Sequence, residues 1–292
     1  GGDLYTWGCD DSGQLGDGGS SPATSPQEVL APGGIGPLEG VRDLAVGSAH
    51  SCAVLGSGEV RCWGVGALGR PVGWPPFSSL PVVVENGAGT GALSGIDQVT
   101  AGQSVSCGLE TTGQVVCWGA NGSGELGNGT TTSSTRPVPV SDPAGAGRLG
   151  DVEQITGSST HHCARLSTGQ VRCWGSNSDG QLGDGTASAR SRPVAVLAEA
   201  GGGSLSGVVQ VSAGYLHTCA VLASGEARCW GRNDDGELGD GTTTDRTRPV
   251  AVRNADGTGP LTGVVEMLAG ASHSCARLVD GGLSCWGYGH DG

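Results

Sequence analysis

Of the eleven cysteines, ten fall into five pairs with ten-residue spacing, each inside the same short phrase of sequence, and this recurrence constrains the fold most. The phrase runs His50-Ser51-Cys52-Ala53-Val54-Leu55-Gly56-Ser57-Gly58-Glu59-Val60-Arg61-Cys62-Trp63-Gly64. Two runs of apolar and β-branched residues flank Gly-Ser-Gly, the pattern of a hairpin whose three-residue loop ends in a left-handed glycine. Gly58, Gly113, Gly169, Gly225 and Gly281 hold that last position. With Leu55 opposite Glu59, Val54 meets Val60, Ala53 meets Arg61 and Cys52 meets Cys62. Counted from a hydrogen-bonded closing pair, the cysteines occupy a non-hydrogen-bonded site, where Cα atoms approach to about 4.5 Å, within reach of a disulfide. The same count pairs Cys107 with Cys117, Cys163 with Cys173, Cys219 with Cys229 and Cys275 with Cys285. Cys9 has no partner in this pattern.

The pairs lack the close C-x-x-C spacing of structural zinc sites, so disulfides are expected and no metal or cofactor is. Disulfides persist in oxidising compartments, which places the protein outside the cell, in a periplasm or on a cell surface. Each closed loop contributes about 2–3 kcal/mol by the chain-entropy argument.

Trp-Gly recurs at Trp7, Trp63, Trp118, Trp174, Trp230 and Trp286, at intervals of 55 or 56 residues. Within each period come a polar turn such as Asn177-Ser178-Asp179-Gly180-Gln181-Leu182-Gly183, a run opened by Arg192-Pro193, a Gly-rich connector, the run Val208-Val209-Gln210-Val211, and the hairpin. That makes four strands per period with connectors too short for helices, the sign of an all-β propeller of four-stranded blades. Five periods and six Trp-Gly strands are visible. Residues 1–292 then form one propeller of roughly 56-residue repeats, with both ends inside a repeat. The same strand at both ends, and Gly292 at the place of Gly180 and Gly236, suggest a piece of a ring of six or seven blades. Proline at the start of the strands holding Pro26, Pro81, Pro137, Pro193 and Pro249 puts those strands outermost, because proline cannot donate to a second ladder.

Ala213-Gly214-Tyr215-Leu216-His217-Thr218-Cys219-Ala220 and Cys229-Trp230-Gly231-Arg232-Asn233-Asp234-Asp235-Gly236-Glu237-Leu238-Gly239 resemble the regulator of chromosome condensation repeat. The resemblance extends over essentially the whole chain. It implies a propeller, typically seven-bladed, that serves as a platform for protein partners. The paired cysteines depart from the familiar nuclear and cytosolic members, and so the resemblance does not carry over their nucleotide-exchange role.

A net charge of −13, with fifteen arginines and no lysine, argues against a phosphate-binding surface and hence against nucleic acid. No apolar run is long enough to span a bilayer. The chain opens Gly1-Gly2-Asp3 without methionine, so any targeting segment is already removed or out of view. His50, His161, His217 and His273 each precede a cysteine by two residues and share its face; the repeat assigns them a hydrogen-bonding place, and Val105 interrupts the ring a metal would need. The turns at Asp10-Asp11-Ser12-Gly13, Asn177-Ser178-Asp179-Gly180 and Asn233-Asp234-Asp235-Gly236 carry oxygen ligands, yet lack the spacing of a helical calcium loop, and read as Asn/Asp/Gly turns.

No nucleophile lies on a strand-to-helix elbow, so the chain does not read as an enzyme. One segment breaks the repeat: Leu68 to Phe77, which holds Arg70, Trp74, Pro75, Pro76 and Phe77, including the single phenylalanine and the one tryptophan outside the series. Aromatic residues on a proline-stiffened loop suit an interface anchor, and these five are the candidate partner-binding residues. They also suit a loop packed on its neighbouring blade. The expectation is a non-catalytic extracellular protein-interaction module. The alternatives are a structural repeat of a surface layer, fibre or appendage, with self-assembly, and a secreted enzyme inhibitor.

Overall fold

A computed structural model describes residues 4–71, 73–199 and 201–289; Val72 and the expectation drawn from Gly292 lie outside the described residues. Every regular element in it is a strand. β1 (Tyr5–Gly8) and β2 (Ala23–Glu28) pair as blade 1. Blade 2 holds β3 (Val41–Val46), β4 (His50–Leu55), β5 (Val60–Val65) and β6 (Phe77–Val83) in chain order. Blade 3 repeats this with β7 (Ile96–Ala101), β8 (Val105–Glu110), β9 (Val115–Gly119) and β10 (Ser134–Pro139). Blade 4 is β11 (Val152–Gly157), β12 (His161–Leu166), β13 (Val171–Gly175) and β14 (Arg190–Ala195). Blade 5 is β15 (Val208–Ala213), β16 (His217–Leu222), β17 (Ala227–Gly231) and β18 (Arg246–Ala251). Blade 6 has β19 (Val264–Ala269), β20 (His273–Leu278) and β21 (Leu283–Gly287). All pairings are antiparallel, and among the described residues the sheets at the two ends share no ladder, so the ring is not closed.

The hairpin register is the expected one: Val54 pairs with Val60, Ala53 with Arg61 and Cys52 with Cys62. Leu55 N–H donates to the Glu59 carbonyl at 2.9 Å, closing the loop through Gly58 at φ 80°. All five disulfides form within their own hairpins, with Cα separations of 4.0 to 4.1 Å, somewhat tighter than the expected 4.5 Å. Cys9 is free and exposed.

The proline strands lie at the outer edge, but proline does not start them. β10 begins at Ser134 and β14 at Arg190, so Pro137 and Pro193 fall in mid-strand. The pairing slips on either side of them, between Ser134 and Val138 in one case and between Arg190 and Val194 in the other. Such a bulge lets a residue without an N–H sit inside an edge strand.

Side chains clamp each blade to the next. Trp63, Trp118, Trp174 and Trp230 are buried, and each indole Nε1–H donates to a carbonyl of the preceding blade, from Gln14, Ala67, Glu125 and Gln181, at 2.8 to 2.9 Å. Glycine makes room for the ring: a Cβ on Gly183, at φ 68°, would stand 2.8 Å from the Trp230 nitrogen. The disulfide sits at this seam. Cys163 and Cys173 pack with Leu182, Val208, Val211 and Trp230 in one buried cluster. At the inner edge, a bulge after the first strand residue turns a glutamine toward the next blade. Gln154 Nε2 donates to the Val211 carbonyl, and its Oε1 accepts from Val211 N–H, both at 3.0 Å. Gln210 bridges Met267 in the same way.

Candidate functional site

Among the described residues the histidines do not form a common centre, and three of them bond across blade boundaries. His50 Nε2 lies 2.8 Å from Ser106 Oγ, His161 Nε2 2.8 Å from Thr218 Oγ1, and His217 Nε2 2.9 Å from Ser274 Oγ. Thr218 and Ser274 in turn donate to the carbonyls of Gln181 and Glu237. A hydroxyl that donates onward must accept from the imidazole, so Nε2 of His161 and of His217 carries a proton. Burial keeps these rings neutral, holding His50 and His217 at a pKa of about 4; His161, which also feels His162 and His217, is held at about 3. Val105 breaks the series in blade 3, and the facing position in blade 4 changes with it. His162 stands where other blades carry serine or threonine, is buried, and stacks against Trp174 with ring centroids 6.0 Å apart.

The acidic turns close on themselves. Asn177 Oδ1 accepts from Leu182 N–H at 2.9 Å, while Nδ2 donates to the carbonyls of Thr186 and Ser188. Asn233 and Asn121 do the same in their blades. Asp184 and Asp240 hold Arg190 and Arg246 at 2.7 and 2.8 Å. Blade 1 differs, with Asp10 in the asparagine place: Oδ1 accepts from Leu15 N–H, Oδ2 is buried without a partner, and burial raises the carboxyl pKa.

The segment that breaks the repeat joins β5 to β6 and walls a cleft of about 510 Å³ between blades 2 and 3. Its base is pinned by Gly66 N–H to the Pro76 carbonyl at 2.9 Å, and Trp74 N–H reaches the Pro71 carbonyl. Trp74 is 56% exposed, and the Arg70 guanidinium lies over its ring, 4.1 Å from the centroid. Arg70, Trp74, Pro75 and Pro76 line the cleft, with Leu68 and Ala120 below and Ser104, Ser134 and Thr135 across from them. Burial lowers the Arg70 pKa, and the Glu85 charge opposes that shift. Phe77 does not join this group. It is the first residue of β6, pairs with Val65, and turns its ring toward Gly13 of blade 1, which has no side chain to obstruct it. The hydroxyl wall from blade 3 was not anticipated, because Ser104 lies in the connection between β7 and β8 while Ser134 and Thr135 open β10, two separate stretches of chain that carry no motif.

Comparison with known proteins follows the same architecture. The family described as the RCC1-like domain matches residues 1–292. Human E3 ubiquitin-protein ligase HERC2 is 30% identical over 257 residues, which are 87% of this chain and 5% of that protein. The Ultraviolet-B receptor UVR8 of Arabidopsis thaliana is 29% identical over 293 residues, covering 99% of this chain and 62% of the receptor. The chain therefore spans less than two thirds of the length of either relative. The crystal structure of human WBSCR16 aligns with a TM-score of 0.77 at 21% identity, over 98% of this chain and 74% of that one. Yeast RCC1 (Prp20), in its crystal structure with Kap60, aligns with a TM-score of 0.55 at 20% identity, over 98% and 79% of the respective chains. At these identities the structures share the fold.

Proposed function

This chain belongs to the RCC1-like domain family, and from that premise we propose that it is a non-catalytic protein-interaction module working outside the cell, in a periplasm or on a cell surface. The observation that carries the reading is the loop at Arg70–Pro76. It is the one place where the repeat is abandoned, and it presents a largely exposed tryptophan, stiffened by prolines and a cation stack, above a cleft between blades. Large amphipathic rings held in one pose are what protein interfaces use as anchors, because little side-chain entropy is lost on docking. Yeast RCC1, which shares this fold, is bound to Kap60 in its crystal structure, and this supports a partner-binding reading by analogy of fold. The extracellular setting is supported by the five disulfides, which reducing compartments would not maintain.

The test is affinity capture from secreted and surface fractions with the full chain and with a variant whose Arg70–Pro76 segment is replaced by the Asp-Gly-Thr turn of the other blades. A partner held by the first and released by the second, at matched circular dichroism and melting temperature, is the expected result. Equal capture by both proteins, or turnover of a substrate in a broad hydrolase screen, contradicts the proposal.

A further inference from the structure

Among the described residues that line the cleft, Arg70 is the one cation. Glu85, the carboxylate whose charge acts on Arg70, is engaged elsewhere: it pairs with Arg136, Nη2 to Oε2, at 3.1 Å. No carboxylate is among the residues lining the cleft. Arg70 has a ring against one face of its guanidinium and, among the described residues, no hydrogen bond or ion pair at its N–H edges. Most other arginines are committed to an acid or an acceptor oxygen, such as Arg61 to Glu59, Arg148 to Glu110 and Arg165 to Glu153. A guanidinium stacked on an aromatic face keeps its planar fork of donors directed outward, the geometry that grips a carboxylate with two parallel bonds. The guanidinium is only partly buried, so its fork stays open to the cleft and can exchange water for an anion.

We infer that the Arg70–Trp74 cleft, read as the partner site, binds an extended peptide segment of the partner through one aspartate or glutamate side chain, with neutral or basic residues around it. The carboxylate comes from a side chain and not from a chain terminus. Capture of a terminus relies on a nest of free backbone amides, and here the Gly66 and Trp74 amides are already bonded within the loop. Neutral or basic flanks follow from the whole-molecule charge of −13, which repels an acidic run but, at physiological salt with screening over about 8 Å, leaves the one local positive charge of the cleft free to attract a single anion. On the opposite wall the Thr135 hydroxyl supplies a polar contact for peptide backbone, the Ser134 hydroxyl, which donates to the Arg136 carbonyl at 2.7 Å, can accept from a peptide N–H, and Leu68 and Ala120 supply the apolar floor.

The test is panning of displayed random linear peptides on the intact oxidised chain, followed by affinity measurement with the selected peptides made synthetically. Selected peptides should share one acidic residue in a neutral or basic context and keep their affinity when the C-terminus is amidated. Changing that residue from Glu to Gln, or Arg70→Gln in the protein, should each weaken binding about tenfold or more, and the two together little further. Arg70→Lys should recover only part of the loss, since it restores charge without the fork, while Arg165→Gln at a distant ion pair should change nothing. Binding lost with Trp74→Ala but indifferent to Arg70→Gln would overturn the carboxylate inference and leave the interaction reading standing. No enriched peptide, or peptides indifferent to both variants, would overturn the inference and count against the loop as a partner site. Affinity lost on C-terminal amidation would show a terminus as the ligand and overturn the choice of a side chain.

Discussion

Asp10 and the buried histidines are among the residues at which protonation bears on stability, and they act in opposite directions. An amide at the Asp10 position donates to the carbonyls of its own turn in three other blades, whereas a carboxylate cannot. Asp10→Asn should therefore stabilise the chain by about 1 kcal/mol, the order of one buried unsatisfied group. Because the folded-state pKa of Asp10 is raised, the folded form holds its proton more tightly than the unfolded form. That contribution is present at low pH and disappears as pH rises past the ordinary carboxyl value of 3.8, so the advantage of the asparagine variant should grow with pH across that range. His50, His161 and His217 have depressed values, so the unfolded chain takes up protons first. Their contribution is complete above the ordinary value of 6.5 and is lost as pH falls toward about 4, each with a slope approaching 1.4 kcal/mol per pH unit, an order-of-magnitude figure. Chemical denaturation at pH 7, 6 and 5 should show the loss, and His161→Asn should flatten it; an unchanged slope in that variant would contradict the assignment. The histidines' place in each repeat was legible in the sequence, but not their partners, since a hydroxyl 56 or 57 residues away is visible only once neighbouring blades are set side by side. The compensating exchange of Val105 and His162 could have been noticed, because both depart from the repeat at adjoining positions.

The hairpin is the element that sequence reading resolved best, because a three-residue loop leaves one register open and that register sets the cysteines opposite each other. The outer strands were resolved less well. Proline marks the edge position, but the bulge around it lets the strand begin three residues earlier, as Ser134 does ahead of Pro137. The glutamine bridges were missed altogether, although Asp43, Gln98, Gln154 and Gln210 recur at one repeat position with an acceptor or donor side chain. At the seams, Gly183→Ala should cost about 2–4 kcal/mol through its positive φ and the Trp230 ring, while Gly202→Ala, with open space around it, should be nearly neutral. The disulfides should also differ in reactivity. Four are buried at seams, whereas Cys285 is exposed, so mild reductant followed by mass-spectrometric mapping should open Cys275–Cys285 first. Opening of the Cys163–Cys173 bond ahead of it would contradict the seam packing.

At the scale of the whole molecule, the repeat specifies a series of blades, and the proposed partner site lies where one blade departs from it. The place of that departure was legible in the sequence, as were Trp74 and the prolines. The cleft was not, since half of it comes from the next blade, and Phe77 belongs to a strand facing the other way. The direct measurement is hydrogen–deuterium exchange of the full oxidised chain with and without its bound peptide or captured partner. Protection should appear in the segments around Gly66–Pro76 and Ser133–Thr135, with the remaining blades unchanged. Protection instead at the inner mouth of the ring, around Gly47, Gly102 and Gly214, with the loop exchanging as before, would contradict the assignment of function to this cleft.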